Sequence, residues 1–212
     1  MKKVAIVCAA GKAGKLIADE AVGRGLDVTA VVRDKNKVTN KNVKVIEKDL
    51  FALTADDLKG FDVVIDAFGA WTEDTIPFIP KAVSALCECV KNTDTRLLIV
   101  GGAGSLYVDP DHKTMLIDTP DFPDSFKPLA AAHNEALASL RTRNDVRWTY
   151  ISPAGDFQAD GARTGSYKLG GEELTLSAKG ESVISYADYA IAMIDEAISG
   201  HNIKKRISVV QK

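Results

Sequence analysis

Residues 4–14 read VAIVCAAGKAG, an apolar run that passes into a row of small residues. The run at 4–8 predicts a buried strand, and the helical pattern of 12–25 starts almost at once after it. Bare backbone amides at the start of such a helix can hold a dinucleotide pyrophosphate. The stretch therefore predicts a phosphate-binding turn formed by Gly11, Lys12, Ala13 and Gly14. A tight turn with a purely structural role is the alternative.

Cys8 departs from the usual form of this turn. With Cys8 in the first place, the turn has the spacing Gly-x-x-Gly-x-x-Gly with its first glycine replaced. A Cβ atom restricts the backbone φ angle at Cys8, whereas Ala9, Ala10 and Ala13 are small enough for a ligand to approach closely. The pattern also lies in the first strand–helix turn of the chain, which makes it more specific than an isolated glycine pattern.

The rest of the chain alternates between short apolar runs and helix-length segments. The runs are typical of buried parallel strands and span 4–8, 28–32, 43–46, 63–67, 97–100, 148–151 and 207–210. Apolar residues at helical spacing mark the segments 12–25, 54–59, 77–91, 129–143 and 185–199. This order predicts an α/β fold with one doubly wound, mostly parallel sheet and helices on both faces. A length of 212 residues suits a single domain over 1–212.

Two long segments interrupt the alternation, at 101–128 and 153–180. Both follow predicted strands, so both should emerge at the carboxyl edge of the sheet, where open α/β folds bind ligands. Irregular segments of this length in a compact domain are commonly binding loops. We expect them to form the substrate side of the site.

The end of the second strand bears on which nucleotide is bound. An acidic residue there favours NAD, because its carboxylate takes the ribose hydroxyls. Here Arg33 occupies the position, and a guanidinium can pair with the 2′-phosphate of NADP; such a contact contributes about 1.5–3 kcal/mol. The sequence therefore favours NADPH over NADH. A shift of one residue would bring Asp34 into the pocket and reverse the preference, and a solvated arginine at a strand end is a further alternative.

Other strand ends supply small or flanking residues for a flat cofactor. We expect the cofactor to lie across a set that follows the third to sixth strands, formed by Asp49, Leu50, Ala67, Phe68, Gly69, Gly101, Gly102, Ala103, Pro153 and Ala154. Asp49 and Leu50 would flank the adenine, and Pro153 and Ala154 would lie against the nicotinamide carboxamide. Phe68, Trp71, Tyr107 and Phe157 are candidates for an aromatic wall. For each of these residues, ordinary loop or core packing is the alternative.

Composition narrows the function classes further. A net charge of −2 with interspersed signs argues against a nucleic-acid partner, and no run of 18 apolar residues offers a membrane span. The three cysteines lack the spacing of a disulfide framework and predict small core residues in a cytoplasmic protein. His112 and His201 have no partners at metal-ligand spacing, so no metal site is proposed. The oligomeric state stays open.

Several motifs together extend over essentially the whole chain: 9–14, Arg33, 101–106, 148–154, 163–167 and 184–190. With these motifs the sequence resembles the bacterial NADH-flavin reductases, which are atypical short-chain dehydrogenase/reductases related to NmrA-like proteins and to biliverdin-IXβ/flavin reductase. The resemblance implies a Rossmann fold, NAD(P)H binding and hydride transfer. It also implies a role for His133, since those reductases have a histidine at a matching place. The serine of those reductases aligns nearest Ala103, so the resemblance implies a weaker role for Ser105, two residues further on.

The chain lacks the Tyr-x-x-x-Lys pair that supplies a proton in alcohol-oxidising relatives: none of its five tyrosines is followed four residues later by lysine. Reduction of a flavin needs less, because its second proton can come from water. The prediction is an NAD(P)H-dependent reductase of a small, flat, conjugated acceptor, a flavin or a linear tetrapyrrole such as biliverdin. The alternatives are a non-catalytic NADP-sensing regulator and, less favoured without the pair, an epimerase or dehydratase. His133 would donate a proton or shape the pocket, and a helix-face histidine satisfied by a neighbour is the alternative. Asp188 would orient the preceding loop.

Overall fold

A computed structural model describes all 212 residues of the chain. Its centre is an eight-stranded sheet in the order β3-β2-β1-β4-β5-β6-β10-β8. Seven of these strands run parallel, and only β8 is antiparallel to its neighbour β10. The strands are β1 (Lys3–Val7), β2 (Asp27–Val32), β3 (Lys44–Glu47), β4 (Val63–Asp66), β5 (Arg96–Val100), β6 (Arg147–Ser152), β7 (Asp156–Gln158), β8 (Tyr167–Gly170), β9 (Val183–Ser185) and β10 (Lys205–Gln211). The predicted doubly wound, mostly parallel sheet is confirmed.

Five α-helices cover the two faces of the sheet: α1 (Lys12–Gly23), α2 (Ala55–Leu58), α3 (Phe78–Val90), α4 (Lys127–Thr142) and α5 (Tyr186–Ser199). Helix α1 ends two residues before its predicted limit, and Gly25 follows with a φ of 73°, a conformation that glycine adopts without strain. Thr54 and Asp57 form a capping box at the start of α2. None of the helices combines the length and the apolar character needed to cross a bilayer.

The core consists of two apolar clusters, one on each face of the sheet. Helices α1 and α5 pack on one face, in a cluster of 25 buried residues. Helices α2, α3 and α4 pack on the other, in a cluster of 24. Burial on both faces explains why the central strands are continuously apolar. The cysteines are free, and Cys87 is buried in the second cluster.

The two long segments are more ordered than the sequence predicts. Segment 101–128 contains two short 3₁₀ turns, Leu116–Asp118 and Asp124–Phe126. Segment 153–180 contains β7 and β8, and β7 pairs with β9 in a separate two-stranded sheet. The expectation of wholly irregular loops is therefore wrong. These strands are short and at least partly exposed, so they lack the continuous apolar run that identifies a buried strand.

Candidate functional site

The turn between β1 and α1 presents a row of free backbone donors. The Gly11 amide donates to the Cys8 carbonyl at 3.0 Å, and the Lys15 amide makes the first bond of the helix, to the Gly11 carbonyl at 2.9 Å. Between them, the amides of Lys12, Ala13 and Gly14 have no protein acceptor. No side chain caps this helix start. The turn therefore offers three donors to an anion at the positive end of a helix, the arrangement that a pyrophosphate requires.

Steric contacts explain the residue types of this turn. A Cβ atom on Gly14 would lie 2.4 Å from the Cys8 carbonyl oxygen and 2.9 Å from the Ala9 Cα, so only glycine lets α1 pack this closely on the turn. Cys8 has a φ of 61°, in the left-handed region that favours glycine. The chain thus keeps the backbone of a first glycine while bearing a side chain there. Burial, with Asp66 nearby, raises the pKa of the Cys8 thiol to about 12, so the thiol stays protonated at neutral pH.

Arg33 and Asp34 have different surroundings at the end of β2. Arg33 is exposed and makes no hydrogen bond or ion pair within the chain. The Asp34 carboxylate accepts from the Asn36 amide at 3.0 Å and caps the 3₁₀ turn Lys35–Lys37. Of the two side chains, only the guanidinium is therefore uncommitted.

The residues predicted beside the adenine are already engaged. The Asp49 carboxylate accepts from the Phe51 amide at 2.9 Å and caps the turn Leu50–Ala52. Leu50 is 5 % exposed and belongs to the apolar cluster under α3. Their contact with a cofactor stays a prediction, and only the outer surface of this turn would be free to make it.

Beyond β4, Ala67 is buried, Phe68 is partly buried and Gly69 is exposed. The Phe68 amide donates to the carboxyl group of Asp66 at 3.0 Å. Asp66 is itself only 3 % exposed, and burial raises its pKa from 3.8 to about 7. The sequence did not predict a role for Asp66, which lies at the end of an apolar strand. Its burial without a neighbouring cation depends on how other segments pack around it.

The turn after β5 packs tightly against α4 and β6. Added Cβ atoms would lie 2.3 Å from the Tyr150 ring at Gly101 and 2.9 Å from His133 at Gly102. The Gly102 amide donates to the Tyr150 hydroxyl oxygen at 2.9 Å. These glycines are therefore required by protein packing, whether or not a cofactor lies beside them. Ala103, the third residue predicted here, is partly buried.

His133 stands in α4 next to Tyr150, a residue for which the sequence predicted no role in the site. The Tyr150 hydroxyl lies 3.3 Å from His133 Nδ1 and 3.2 Å from the His133 carbonyl oxygen. Burial lowers the pKa of His133 to about 4 and raises that of Tyr150, so both side chains are neutral at pH 7. The sequence allowed His133 either to donate a proton or to shape the pocket. A neutral ring against Gly102 and Tyr150 favours the second.

Ser105 makes no hydrogen bond to His133 or Tyr150. It is 5 % exposed, and its hydroxyl oxygen accepts from Arg206 Nη1 at 3.3 Å. Its catalytic role remains a prediction without a contact that supports it.

Two polar atoms near the site are buried without a partner: the hydroxyl of Ser152, at the end of β6, and the amide oxygen of Asn134, next to His133. Neither residue has a sequence pattern that would have distinguished it.

Pro153 and Ala154, predicted to face the nicotinamide, follow Ser152 at the carboxyl edge and are both buried. The next amide, that of Gly155, donates to the Ser182 hydroxyl at 3.0 Å.

The predicted structural role of Asp188 is confirmed, because its carboxylate accepts from the amides of Thr164 and Gly165 at 3.0 and 2.9 Å. Helix α5 thus holds the loop between β7 and β8.

The two long segments are bound to each other. The Tyr107 amide donates to the Glu172 carbonyl at 2.9 Å, and the Leu174 amide donates to the Tyr107 carbonyl at 2.8 Å. The Tyr107 ring stacks on His112 at a centroid distance of 4.5 Å, and His112 Nε2 lies 2.6 Å from Glu173. These contacts make one continuous wall from the two segments.

The four predicted wall aromatics do not form one surface. Tyr107 lies in the wall between the long segments. Phe157 packs against Tyr186 at 4.0 Å and is partly buried. Phe68 lies edge-on to Phe51 at 6.4 Å, on the side of β4. Trp71 is 66 % exposed and is the wall candidate most accessible to a ligand.

The chain is similar to a known sequence family and to several known proteins. Residues 8–197 match the sequence family described as NAD(P)H-binding. The protein YwnB of Bacillus subtilis is 46 % identical over 211 residues, which cover 99 % of each chain. A Streptococcus pneumoniae protein described as a candidate NADH-flavin reductase is 53 % identical, with a TM-score of 0.96 over 100 % of both chains. A candidate epimerase from Bacteroides thetaiotaomicron is 35 % identical, with a TM-score of 0.87 over 99 % of this chain and 97 % of that one.

The family match covers the turn with the free amides and all five helices except the last residues of α5. The likeness to the streptococcal structure extends to both long segments. This is the Rossmann fold of the atypical short-chain dehydrogenase/reductases, as the motifs implied. The chain belongs to the NAD(P)H-binding family.

Proposed function

We propose that this protein is an NAD(P)H-dependent reductase that delivers hydride to a flat, conjugated acceptor, a flavin or a linear tetrapyrrole such as biliverdin. The observation that carries the proposal is the turn with three free amides at Lys12, Ala13 and Gly14, at the sheet edge from which both long segments emerge. Such a turn fits a pyrophosphate. The streptococcal relative described as a candidate NADH-flavin reductase supports the choice of reaction.

The side chains near the predicted nicotinamide position favour an acceptor that needs no strong protein acid. His133 and Tyr150 are neutral at pH 7, and the Tyr-x-x-x-Lys pair is absent. When bound, NAD(P)H supplies the hydride, and a flavin takes the accompanying proton from water. In this proposal the free amides of the turn bind the cofactor, and the joined long segments bound the space for the acceptor. An epimerase would need a placed proton donor and acceptor. The absence of the Tyr-x-x-x-Lys pair therefore weighs against epimerase activity in this chain, the activity named for the Bacteroides relative.

The reaction is tested by following the oxidation of NADPH, with its absorbance as the readout, in the presence of FMN, FAD or biliverdin. We expect acceptor-dependent turnover with at least one of the three. Cofactor binding without turnover on any of them would contradict the reductase and leave the NADP-sensing regulator as the function. A calorimetric titration with NADP⁺ measures binding separately, so the two outcomes are distinguishable.

The proposed preference for NADPH rests on Arg33. Its guanidinium is exposed and unpaired, while the carboxylate of Asp34 is held by the Asn36 amide. Arg33→Ala should raise the KM for NADPH by roughly 10–100-fold, because one charge-assisted contact with the 2′-phosphate is lost. The KM for NADH should change little. Lys41→Ala, at another exposed and unpaired cation, is the matched control. Equal increases for both cofactors would contradict the assignment.

A further inference from the structure

One cavity of the molecule lies far from the phosphate-binding turn. Its volume is about 440 Å³, within the range of small-molecule sites. Trp148 and Lys205 stand near the beginnings of β6 and β10, whereas the phosphate-binding turn follows the end of β1. In a parallel sheet these are opposite edges. The cavity is therefore separate from the site described above.

The walls of the cavity carry an excess of positive charge. Five cationic side chains line it, together with one carboxylate, one amide side chain and one aromatic ring; the eight residues are Arg141, Arg143, Asn144, Trp148, Glu172, Lys204, Lys205 and Arg206. Glu172 is shared, since it accepts from Arg141 at 2.6 Å and also pairs with Arg206. Neutralisation of both guanidinium groups by this single carboxylate is incomplete.

The lysines of the wall are the least compensated charges. Lys204 Nζ donates to the neutral Asn144 carbonyl at 2.7 Å and has no carboxylate partner. Lys205 makes no side-chain hydrogen bond or ion pair. Arg143, by contrast, is satisfied by Asp145 and Glu88 at 2.8 and 2.7 Å, neither of which lines the cavity. Lys204 and Lys205 therefore have no carboxylate partner and are available to an anionic ligand.

A buried donor in the wall is also unpartnered. Trp148 is 4 % exposed, and its indole Nε1 is buried with no acceptor. A buried N–H without a partner costs free energy, and native proteins rarely leave one in place without a compensating role. Trp148 is the one aromatic ring among the lining residues, so its surroundings would change when the cavity is filled.

From these observations we propose that the cavity is a second binding site, which takes a small phosphorylated anion with at least two negative charges. Arg141, whose carboxylate partner Glu172 is shared with Arg206, can present its guanidinium to phosphate oxygens, and the lysines add point charges. Arg206 also donates to the Ser105 carbonyl and the Glu172 carbonyl, at 3.3 and 2.9 Å, and so joins the cavity wall to one residue of each long segment.

Inorganic pyrophosphate is a suitable probe, titrated calorimetrically into the full-length protein. Saturating NADP⁺ keeps the probe out of the phosphate-binding turn, and constant ionic strength removes general screening. A parallel fluorescence titration uses a Trp71→Phe background, in which Trp148 is the only remaining tryptophan of the two in the chain. We expect saturable binding and a change in Trp148 emission.

Lys205→Ala should weaken this binding about tenfold, because one uncompensated cation is lost. Lys41→Ala, which removes an exposed and unpaired cation elsewhere on the surface, should leave it unchanged. No saturable binding at millimolar pyrophosphate would overturn the proposal, as would binding that both variants weaken equally. The result is independent of whether the protein turns over any acceptor, since only pyrophosphate binding is measured.

Discussion

At the scale of single residues, Gly14 is the position where packing and ligand binding meet. The Cβ of an alanine would lie 2.4 Å from the Cys8 carbonyl oxygen, a distance that requires the helix to move away from the turn. The same shift would displace the free amides of Lys12 and Ala13. A single methyl group is thus expected to affect both stability and cofactor binding.

We predict that Gly14→Ala lowers the free energy of unfolding by about 1–3 kcal/mol, the usual cost of overpacking. It should also weaken NADPH binding at least tenfold, by about 1.4 kcal/mol or more. Urea unfolding and calorimetry measure the two effects. Gly23→Ala is the matched control in the same helix, because an added Cβ there has no neighbour within 4 Å. Since alanine has the higher helix propensity, Gly23→Ala should be neutral or stabilising, and similar losses in both variants would contradict the role of the Cys8 contact.

Cys8 shows what a residue pattern can and cannot predict. The spacing to Gly11 and Gly14 identified the turn, and the replaced glycine was recognisable as a departure. That the chain keeps a φ of 61° there depends on how β1 and α1 meet, which no local preference of cysteine indicates. Asp66 and Tyr150 escaped for a related reason: the pKa of each is displaced by burial, and burial follows from the packing of segments distant in sequence.

At the scale of elements, α5 does more than cover the sheet. Asp188, fully buried in its first turn, accepts three hydrogen bonds from the loop between β7 and β8: from the Thr164 amide, the Thr164 hydroxyl at 2.6 Å and the Gly165 amide. Ser185 caps the same helix by accepting from the Asp188 amide at 3.0 Å. The start of α5 therefore fixes one of the two long segments.

Asp188→Ala is predicted to release this loop. Hydrogen bonds to a charged acceptor contribute about 1.5–3 kcal/mol each, and the freed donors can be rehydrated only if the loop opens. Limited proteolysis within 161–166 should become faster, while NADP⁺ affinity stays within about twofold because the turn after β1 is untouched. Cleavage at the wild-type rate would contradict this anchoring role. Asp160→Ala, an exposed acid in the same loop that makes no hydrogen bond, is the control.

Elements differ in how far their sequence predicts them. The buried parallel strands were identified within one or two residues because each is a continuous apolar run between helical segments. Strand β8 was missed. Its pattern is half-exposed, and it becomes a strand only by pairing with β10, from Ser208 opposite Gly170 to Gln211 opposite Tyr167. Such pairing depends on the whole fold, so the local residue pattern does not predict the strand.

At the scale of the whole molecule, burial displaces two titrations in opposite directions. The Asp66 carboxyl has its pKa raised from 3.8 to about 7, so between these values the native state holds a proton that the unfolded chain has lost. The free energy of unfolding therefore falls as the pH rises through this range. His133 has its pKa lowered from 6.5 to about 4, so here the unfolded chain holds the extra proton and stability rises with pH.

The two contributions overlap between about pH 4 and pH 6.5 and should largely cancel in the wild-type protein. Single substitutions separate them. Relative to wild type, the unfolding free energy of Asp66→Asn should rise with pH across this window, because the component that falls is removed and asparagine can still accept from the Phe68 amide. That of His133→Gln should fall with pH. Urea unfolding at several pH values measures both differences, and other titrating groups cancel in the comparison with wild type. Parallel curves for all three proteins would show that neither side chain is as buried in solution as the fold requires.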